Sequence, residues 1–157
     1  MRARLRIELK TTAGDVIAER EAGNAVLQGG AALLARLFAG QAGGITHMGV
    51  GTSDIPESET FGTTALAEPT EVPIPPDAFQ VDPPDPVKRV VRVRIRATVP
   101  AAAAVGTIRE AALVSRSGDT VTLYNRVVFA PIDKANDHEL TLFWEVGFPY
   151  GDLQGLL

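Results

Sequence analysis

The sequence predicts a mainly β protein, either an antiparallel β-sandwich or a small barrel, with one packed α-helix and a proline-rich extended arm. Short segments in which apolar and polar residues alternate recur along the chain, and this period of two is typical of half-buried strands. Turn-forming residues separate these segments, and a single segment repeats apolar residues at helical spacing. The 157 residues suit one β-rich structural domain that carries a proline-rich insertion at residues 69–86.

The N-terminal residues predict a strand and its hairpin partner. Leu5, Ile7 and Leu9 lie on one side of an extended chain, with charged residues between them. Residues 11–15 are typical of a turn, and residues 16–20 would return as the second strand. The alternative is a frayed terminus.

Residues 24–40 predict the helix. Asn24 can cap the first turn, and Gly40 can end the last. Gly29 and Gly30 each cost a helix about 1 kcal/mol relative to alanine, so they either let another backbone approach closely or mark a later start. The outer side carries little charge, which suggests cover from the sheet or from a neighbouring subunit. The expected apolar stripe consists of Leu27, Ala31, Leu34 and Phe38, widened by Leu33 and Leu37.

The remaining elements are expected to be strands. Residues 45–50 predict a short buried strand, and Gly49 and Gly51 a tight turn or bulge after it. Ser117-Gly118-Asp119 is a good hairpin turn between strands at 107–115 and 120–129. A last strand covers 139–148, with Leu140, Leu142 and Trp144 on one side.

Residues 69–86 hold seven of the eleven prolines. Proline lacks a backbone donor and fixes one dihedral angle, so neither a helix nor a central strand is expected here. The apolar residues Val72, Ile74, Phe79 and Val81 argue against a purely solvated linker. A docking arm for a neighbour and a flexible surface loop are both consistent with this composition.

Arg92, Arg94 and Arg96 alternate with apolar residues and so fall on one face of a strand. Three like charges repel one another unless nearby opposite charges neutralise them. Acidic residues within the same sheet, an acidic partner surface or phosphate could do so. These arginines, together with the four apolar residues of the proline segment, are the candidate interface.

Chemistry-bearing constellations are sparse. The chain has no cysteine, only His47 and His138 as histidines, and a net charge of −4, which disfavours thiolate metal sites and general attraction to nucleic acid. Gly49-Val50-Gly51 lacks the third glycine and the helix of a dinucleotide site. The acidic residues at 54–59 lack calcium-loop spacing. No Gly-x-Ser-x-Gly motif occurs, so we predict no enzyme, no catalytic residue, no cofactor and no metal.

Several motifs together resemble a pattern found in bacteriophage tail and baseplate structural proteins. They are a helix that opens after Asn24, the glycine-rich Gly49-Val50-Gly51-Thr52, and a final hairpin that leads to Trp144. The resemblance covers residues 24–37, 45–52 with 66–68, and 108–113 followed by 124–129, 132–134 and 140–146. The proline-rich insertion departs from that pattern.

The resemblance implies a non-enzymatic structural subunit of a virion, present in many copies at the tail tip, baseplate or fibre attachment. Its expected partners are copies of itself and other virion structural proteins, with no small-molecule substrate, membrane or nucleic acid. It would be made in the host cytoplasm and end in the virion, since the sequence predicts neither a membrane span nor a secretion signal. The alternatives are a neck, collar or capsid-decorating protein and a host-surface carbohydrate-binding module; a hydrolase is disfavoured.

Overall fold

The computed structural model describes residues 2–152. Within them, two antiparallel sheets pack face to face and one α-helix lies beside them, which confirms the predicted sandwich rather than the barrel. The first sheet contains β1 (Arg2–Thr11), β2 (Val16–Gly23), β6 (Phe79–Val81), β7 (Val90–Val99) and β11 (His138–Pro149). The second contains β3 (Ala25–Val26), β4 (His47–Gly51), β5 (Thr70–Pro73), β8 (Gly106–Ser117), β9 (Thr120–Leu123) and β10 (Asn125–Lys134). The helix α1 spans Gln28–Phe38.

The strand order places the longest strands at the centre. The first sheet runs β2-β1-β11-β7-β6, and the second runs β3-β10-β8-β4-β5 with β9 also paired to β8. Leu5 pairs with Trp144, which pairs with Ile95, and all three are buried. The predicted inward side of the last strand is therefore confirmed. Burial of each large apolar side chain contributes roughly 1.5–3 kcal/mol.

Strand β8 is buried on both faces. Residues 111–114, Ala-Ala-Leu-Val, are fully inaccessible to solvent. Ala111 and Leu113 face the first sheet, while Ala112 and Val114 pack in a second cluster with Leu27 and Leu66. A strand covered on both sides has no polar face, so the sequence here is a continuous apolar run instead of an alternation.

The helix begins later than the sequence suggests. Asn24 does not cap it: the Asn24 Oδ1 accepts a hydrogen bond from the Ala3 N–H at 2.9 Å, and the residue before the helix is Leu27. The prediction that Gly40 ends the helix is confirmed. Gly40 has φ +72°, and the Gln41 N–H donates to the Arg36 carbonyl at 2.8 Å, as in a glycine-terminated helix.

The buried face of α1 also differs from the expected stripe. Gly30 and Leu33 are buried, whereas Ala31 and Phe38 are exposed. A Cβ at Gly30 would lie 1.9 Å from the Tyr124 carbonyl oxygen, so the glycine lets the helix backbone touch the chain between β9 and β10. This close approach decides which side of the helix faces inward, and it leaves Phe38 on the outside.

The proline-rich segment is part of the sandwich. It supplies β5 at the edge of the second sheet, a 3₁₀ turn at Pro76–Ala78, and β6 at the edge of the first sheet. Edge positions tolerate proline because one side of the strand needs no donor. Residues 70–81 are thus neither a projecting arm nor a free loop: they cross from one sheet to the other and close that side of the core.

Candidate functional site

The arginine ladder lies on the outer face of the first sheet. Arg92 pairs with Asp85 at 3.4 Å and with Glu145 at 3.2 Å, and Arg94 pairs with Asp82 at 2.9 Å. The pKa of Asp85 is lowered, and the largest cause is the hydrogen bond that its carboxylate accepts from the Lys88 backbone N–H. The charges of Arg92 and Arg94 are therefore neutralised by acidic residues of the same chain.

Arg96, the third member, stacks on an aromatic ring. Its guanidinium carbon lies 5.5 Å from the centre of the Phe143 ring, and that of Arg6 lies 4.1 Å away. Such contacts at exposed positions contribute about 0.5–1 kcal/mol. Arg6 also pairs with Glu8; burial raises the pKa of that carboxyl, but hydrogen bonds from Lys10 and Arg6 outweigh it and lower the pKa overall. The face is mixed in charge, which does not favour phosphate binding.

The apolar candidates of the proline segment are divided by the fold. Val72 and Ile74 both pack in the core. Val72 is closed to a partner of the folded chain, whereas Ile74 also forms part of the wall of an apolar pocket. Val81 is 68% exposed. Phe79 is half-buried and lines a pocket. Val81 on the surface, and Phe79 with Ile74 in the pocket wall, are therefore the members of this group that another molecule can contact.

The pocket that Phe79 lines is a large apolar opening between the two sheets. Its volume is about 580 Å³, within the roughly 300–1,000 Å³ of small-molecule sites. Its walls come from both sheets, the proline segment and the inner side of α1. They include Leu34, Leu37, Ile45, Phe79, Val146 and Phe148. Because protein interiors are normally close-packed, an apolar opening of this size favours an apolar occupant.

The outer side of α1, the helix whose inner side lines this pocket, is almost uncharged. Phe38, at the last position of the helix, is 97% exposed. Phe38 directly follows Leu37 and lies one turn beyond Leu34, both of which line the pocket. The other exposed residues of the helix and its cap are Gln28, Ala31, Ala32, Ala35 and Ala39. The sequence predicted that this helix would be covered by the sheet or by a neighbouring subunit. The sheets cover its inner side and leave its outer side exposed.

A buried ion pair that the sequence did not predict lies on the face of the second sheet that points away from the first sheet. Arg126 Nε donates to Glu110 Oε2 at 2.7 Å, and the two side chains are 2% and 1% exposed. Glu110 Oε1 also accepts the backbone N–H groups of Ser53 and Ala67. Charged residues this deep are rare unless they are paired and fully hydrogen-bonded.

The pair holds residues 52–67 against the sheet. Arg126 Nη1 donates to the Ile55 carbonyl at 2.6 Å and to the Thr60 hydroxyl at 3.0 Å. Within the same segment, Glu57 Oε1 accepts the Val128 N–H at 2.7 Å. Gly51 makes room for this arrangement, since a Cβ there would lie 2.4 Å from Glu110 Oε1. Gly49 and Gly51 thus lie within β4 and do not form the predicted turn.

Lys134 is a buried cation whose amino group donates to the Ala101 carbonyl at 2.8 Å. Burial lowers the pKa of Lys134 from its usual 10.5, and the Glu139 charge opposes this. At pH values between this lowered pKa and 10.5, Lys134 therefore binds its proton more tightly in the unfolded chain than in the folded one. The free energy of unfolding should rise with pH across that window in the wild type.

Replacement of Lys134 by methionine tests this pH dependence. Urea denaturation at a series of alkaline pH values should show that the wild type gains stability relative to Lys134→Met as the pH rises. The buried Tyr124, whose pKa is raised by burial, is present in both proteins, so the difference between the two curves isolates the lysine. Parallel curves would show that Lys134 keeps an ordinary affinity for its proton.

The described residues offer few groups for metal or acid–base chemistry. His47 is half-buried, with Nδ1 2.8 Å from the Thr46 hydroxyl oxygen, and His138 Nδ1 accepts the Ala135 N–H at 3.0 Å. Within residues 2–152, no cluster of three His, Cys, Asp or Glu side chains could hold a metal ion. In the same part of the chain, no helix has the length and hydropathy to cross a membrane.

Comparisons with protein-family models, with curated proteins and with solved structures found no match for this chain.

Proposed function

We propose that this chain is a non-enzymatic structural subunit of a phage-type virion, placed at the tail tip, baseplate or fibre attachment, that assembles through protein–protein contacts. The observation that carries the proposal is that one helix, α1, presents the exposed Phe38 and also lines an open apolar pocket with its inner side. Exposed apolar surface commonly marks interaction sites on soluble proteins.

The use of the buried charged groups supports the same conclusion. Glu110, Arg126 and Lys134 each hydrogen-bond to backbone atoms of a connecting segment. They fix the position of loops on the sheets and do not converge on an open cleft. A framework whose loops are fixed in this way presents its surfaces rigidly, and rigidity lowers the entropic cost of association.

A host-surface carbohydrate-binding module is less well supported. Sugar sites commonly use exposed aromatic platforms, but Trp144 is 1% exposed and packs in the core. Phe38 is exposed, yet the surface around it offers alanines and few hydrogen-bonding groups. The same apolar surface would serve a neck, collar or capsid-decorating subunit, so the position within the particle has to come from imaging.

The test is to look for the chain in particles. Virions or virus-like particles would be purified from the organism that encodes the chain, and their proteins would be quantified by mass spectrometry. We expect several copies per particle, and antibody-labelled electron microscopy should place them at one end of the tail. Its absence from intact particles, in cells that make the chain abundantly, would refute the proposal.

A further inference from the structure

We infer that the apolar pocket is filled by Phe38 of a second copy of this chain. This inference rests on the proposed function and names the partner of that surface. Phe38 is 97% exposed, so it does not occupy the pocket of its own chain. An exposed phenylalanine at the end of a helix and an apolar pocket that the same helix lines, and that no side chain of residues 2–152 fills, are complementary features.

The position of the two features allows a reciprocal contact. Leu34 and Leu37 line the pocket, and Phe38 follows on the same helix. The projecting group and its receptor therefore belong to one surface, which is what a two-fold symmetric pair requires. Arg36 is the basic residue of the last turn, and the exposed residues from 35 to 41 other than Phe38 are Ala35, Ala39, Gly40 and Gln41, none of which is charged. Two copies can therefore approach over a surface that carries little like-charge repulsion.

The size of the contact predicts its strength. A buried phenylalanine covers about 150–250 Å², and it covers a similar area of the wall that it enters. A symmetric pair makes this contact twice, which gives roughly 600–1,000 Å² before the flanking alanines are added, whereas specific complexes begin near about 1,200 Å². The pair should therefore be weak and dependent on concentration, and it should become stable when neighbouring subunits hold the copies together.

The direct test is Phe38→Ala, with sedimentation velocity measured over a concentration series. We expect the wild type to self-associate and the variant to associate about 100-fold more weakly, tenfold for each of the two phenylalanines. The substitution removes an exposed side chain, so the melting temperature of the monomer should not change. Val105→Ala is the matched control, because Val105 is 57% exposed and lies away from the pocket, just before β8.

A dye that fluoresces in apolar surroundings, anilinonaphthalene sulfonate, reports on the pocket itself. It should bind the dissociated Phe38→Ala protein strongly and the associated wild type weakly. Phe38→Trp should retain self-association, and the emission of the added tryptophan should shift to shorter wavelength as the concentration rises. A shift that is absent while association persists would mean that residue 38 does not enter an apolar site.

Two results would overturn the inference. The first is a wild type that stays monomeric at high concentration and binds the dye as strongly as Phe38→Ala, since the pocket would then be open to a small apolar ligand or another protein. The second is unchanged association of Phe38→Ala. If either occurs while the chain is found in virions, only the pairing through Phe38 fails. If pairing is confirmed but particles lack the chain, only the virion role fails.

Discussion

Replacement of Glu110 by glutamine should lower the free energy of unfolding by about 3–5 kcal/mol, the usual effect of leaving one partner of a buried ion pair uncompensated. The Glu110 carboxylate accepts the Arg126 Nε–H at 2.7 Å and two backbone N–H groups. An amide of the same shape cannot neutralise the buried guanidinium, and in either orientation its NH₂ group would face a donor: the Arg126 Nε–H or the two backbone N–H groups. Urea denaturation followed by tryptophan fluorescence measures the change.

The exposed ion pair between Arg4 and Glu21 provides the control. Their side chains are 65% and 51% exposed, and exposed pairs contribute at most about 1 kcal/mol. Glu21→Gln should therefore be nearly neutral. Equal effects of Glu110→Gln and Glu21→Gln would show that burial of the Glu110 pair does not matter.

The double variant Glu110→Gln with Arg126→Met separates the two contributions of the pair. It should cost less than the sum of the single variants, because no unpaired charge remains in the interior. The anchor of residues 52–67 is still lost, so proteolysis within that loop should accelerate in each of the three variants, even where global stability recovers. Unchanged proteolysis would mean that other contacts hold the loop.

Replacement of Gly30 by alanine should destabilise the protein by about 3 kcal/mol, at the upper end of the cost of overpacking. The added Cβ would lie 1.9 Å from the Tyr124 carbonyl oxygen and 2.9 Å from its Cα. These are backbone atoms, which cannot rotate away as a side chain can. The helix must therefore move off the sheet, which also disturbs the pocket wall formed by Leu34 and Leu37. Thermal or urea denaturation measures the loss.

Gly29→Ala is the matched control for this prediction. A Cβ at Gly29 would meet its nearest atoms at 3.6 Å, an ordinary contact distance. Alanine also restricts the unfolded chain more than glycine does, so Gly29→Ala should stabilise the helix by about 0.5–1 kcal/mol. The neighbouring glycines are thus expected to give effects of opposite sign. Similar effects at both positions would contradict the close approach at Gly30.

The contacts of Gly30 explain why the sequence misled about the exposed side of the helix. Periodicity alone places Phe38 on the same side of the helix as Leu27, Ala31 and Leu34. Gly30 has no side chain, so it adds nothing to the apolar pattern that would indicate that its own side is buried. The helix instead turns the Gly30 and Leu33 side inward, because the absence of a Cβ permits backbone contact with Tyr124. The residue on which the proposed self-association depends was therefore expected to lie in the core.

The buried ion pair escaped prediction for a related reason. Glu110 and Arg126 are sixteen positions apart and lie in different strands. Each directly precedes an apolar run, although Glu110 also follows the charged Arg109. The hydrogen bonds that satisfy the pair come from residues 53–67. A charge in an apolar strand signals either an exposed face or a buried partner, and sequence alone does not say which.

The sequence by itself determined a mainly β fold with one helix, the end of that helix at Gly40, the hairpin turn at Gly118 and the inward side of the first and last strands, since these follow from local alternation and turn chemistry. It left the sandwich and the small barrel open, and the arrangement of the two sheets decided for the sandwich. The tertiary structure alone decided that the proline segment closes the sandwich, that Arg92 and Arg94 find their acids nearby, and that an apolar pocket opens beside Phe38. The physical reason is range: periodicity reports interactions along one segment, whereas a pocket or a buried charge pair depends on which segments meet.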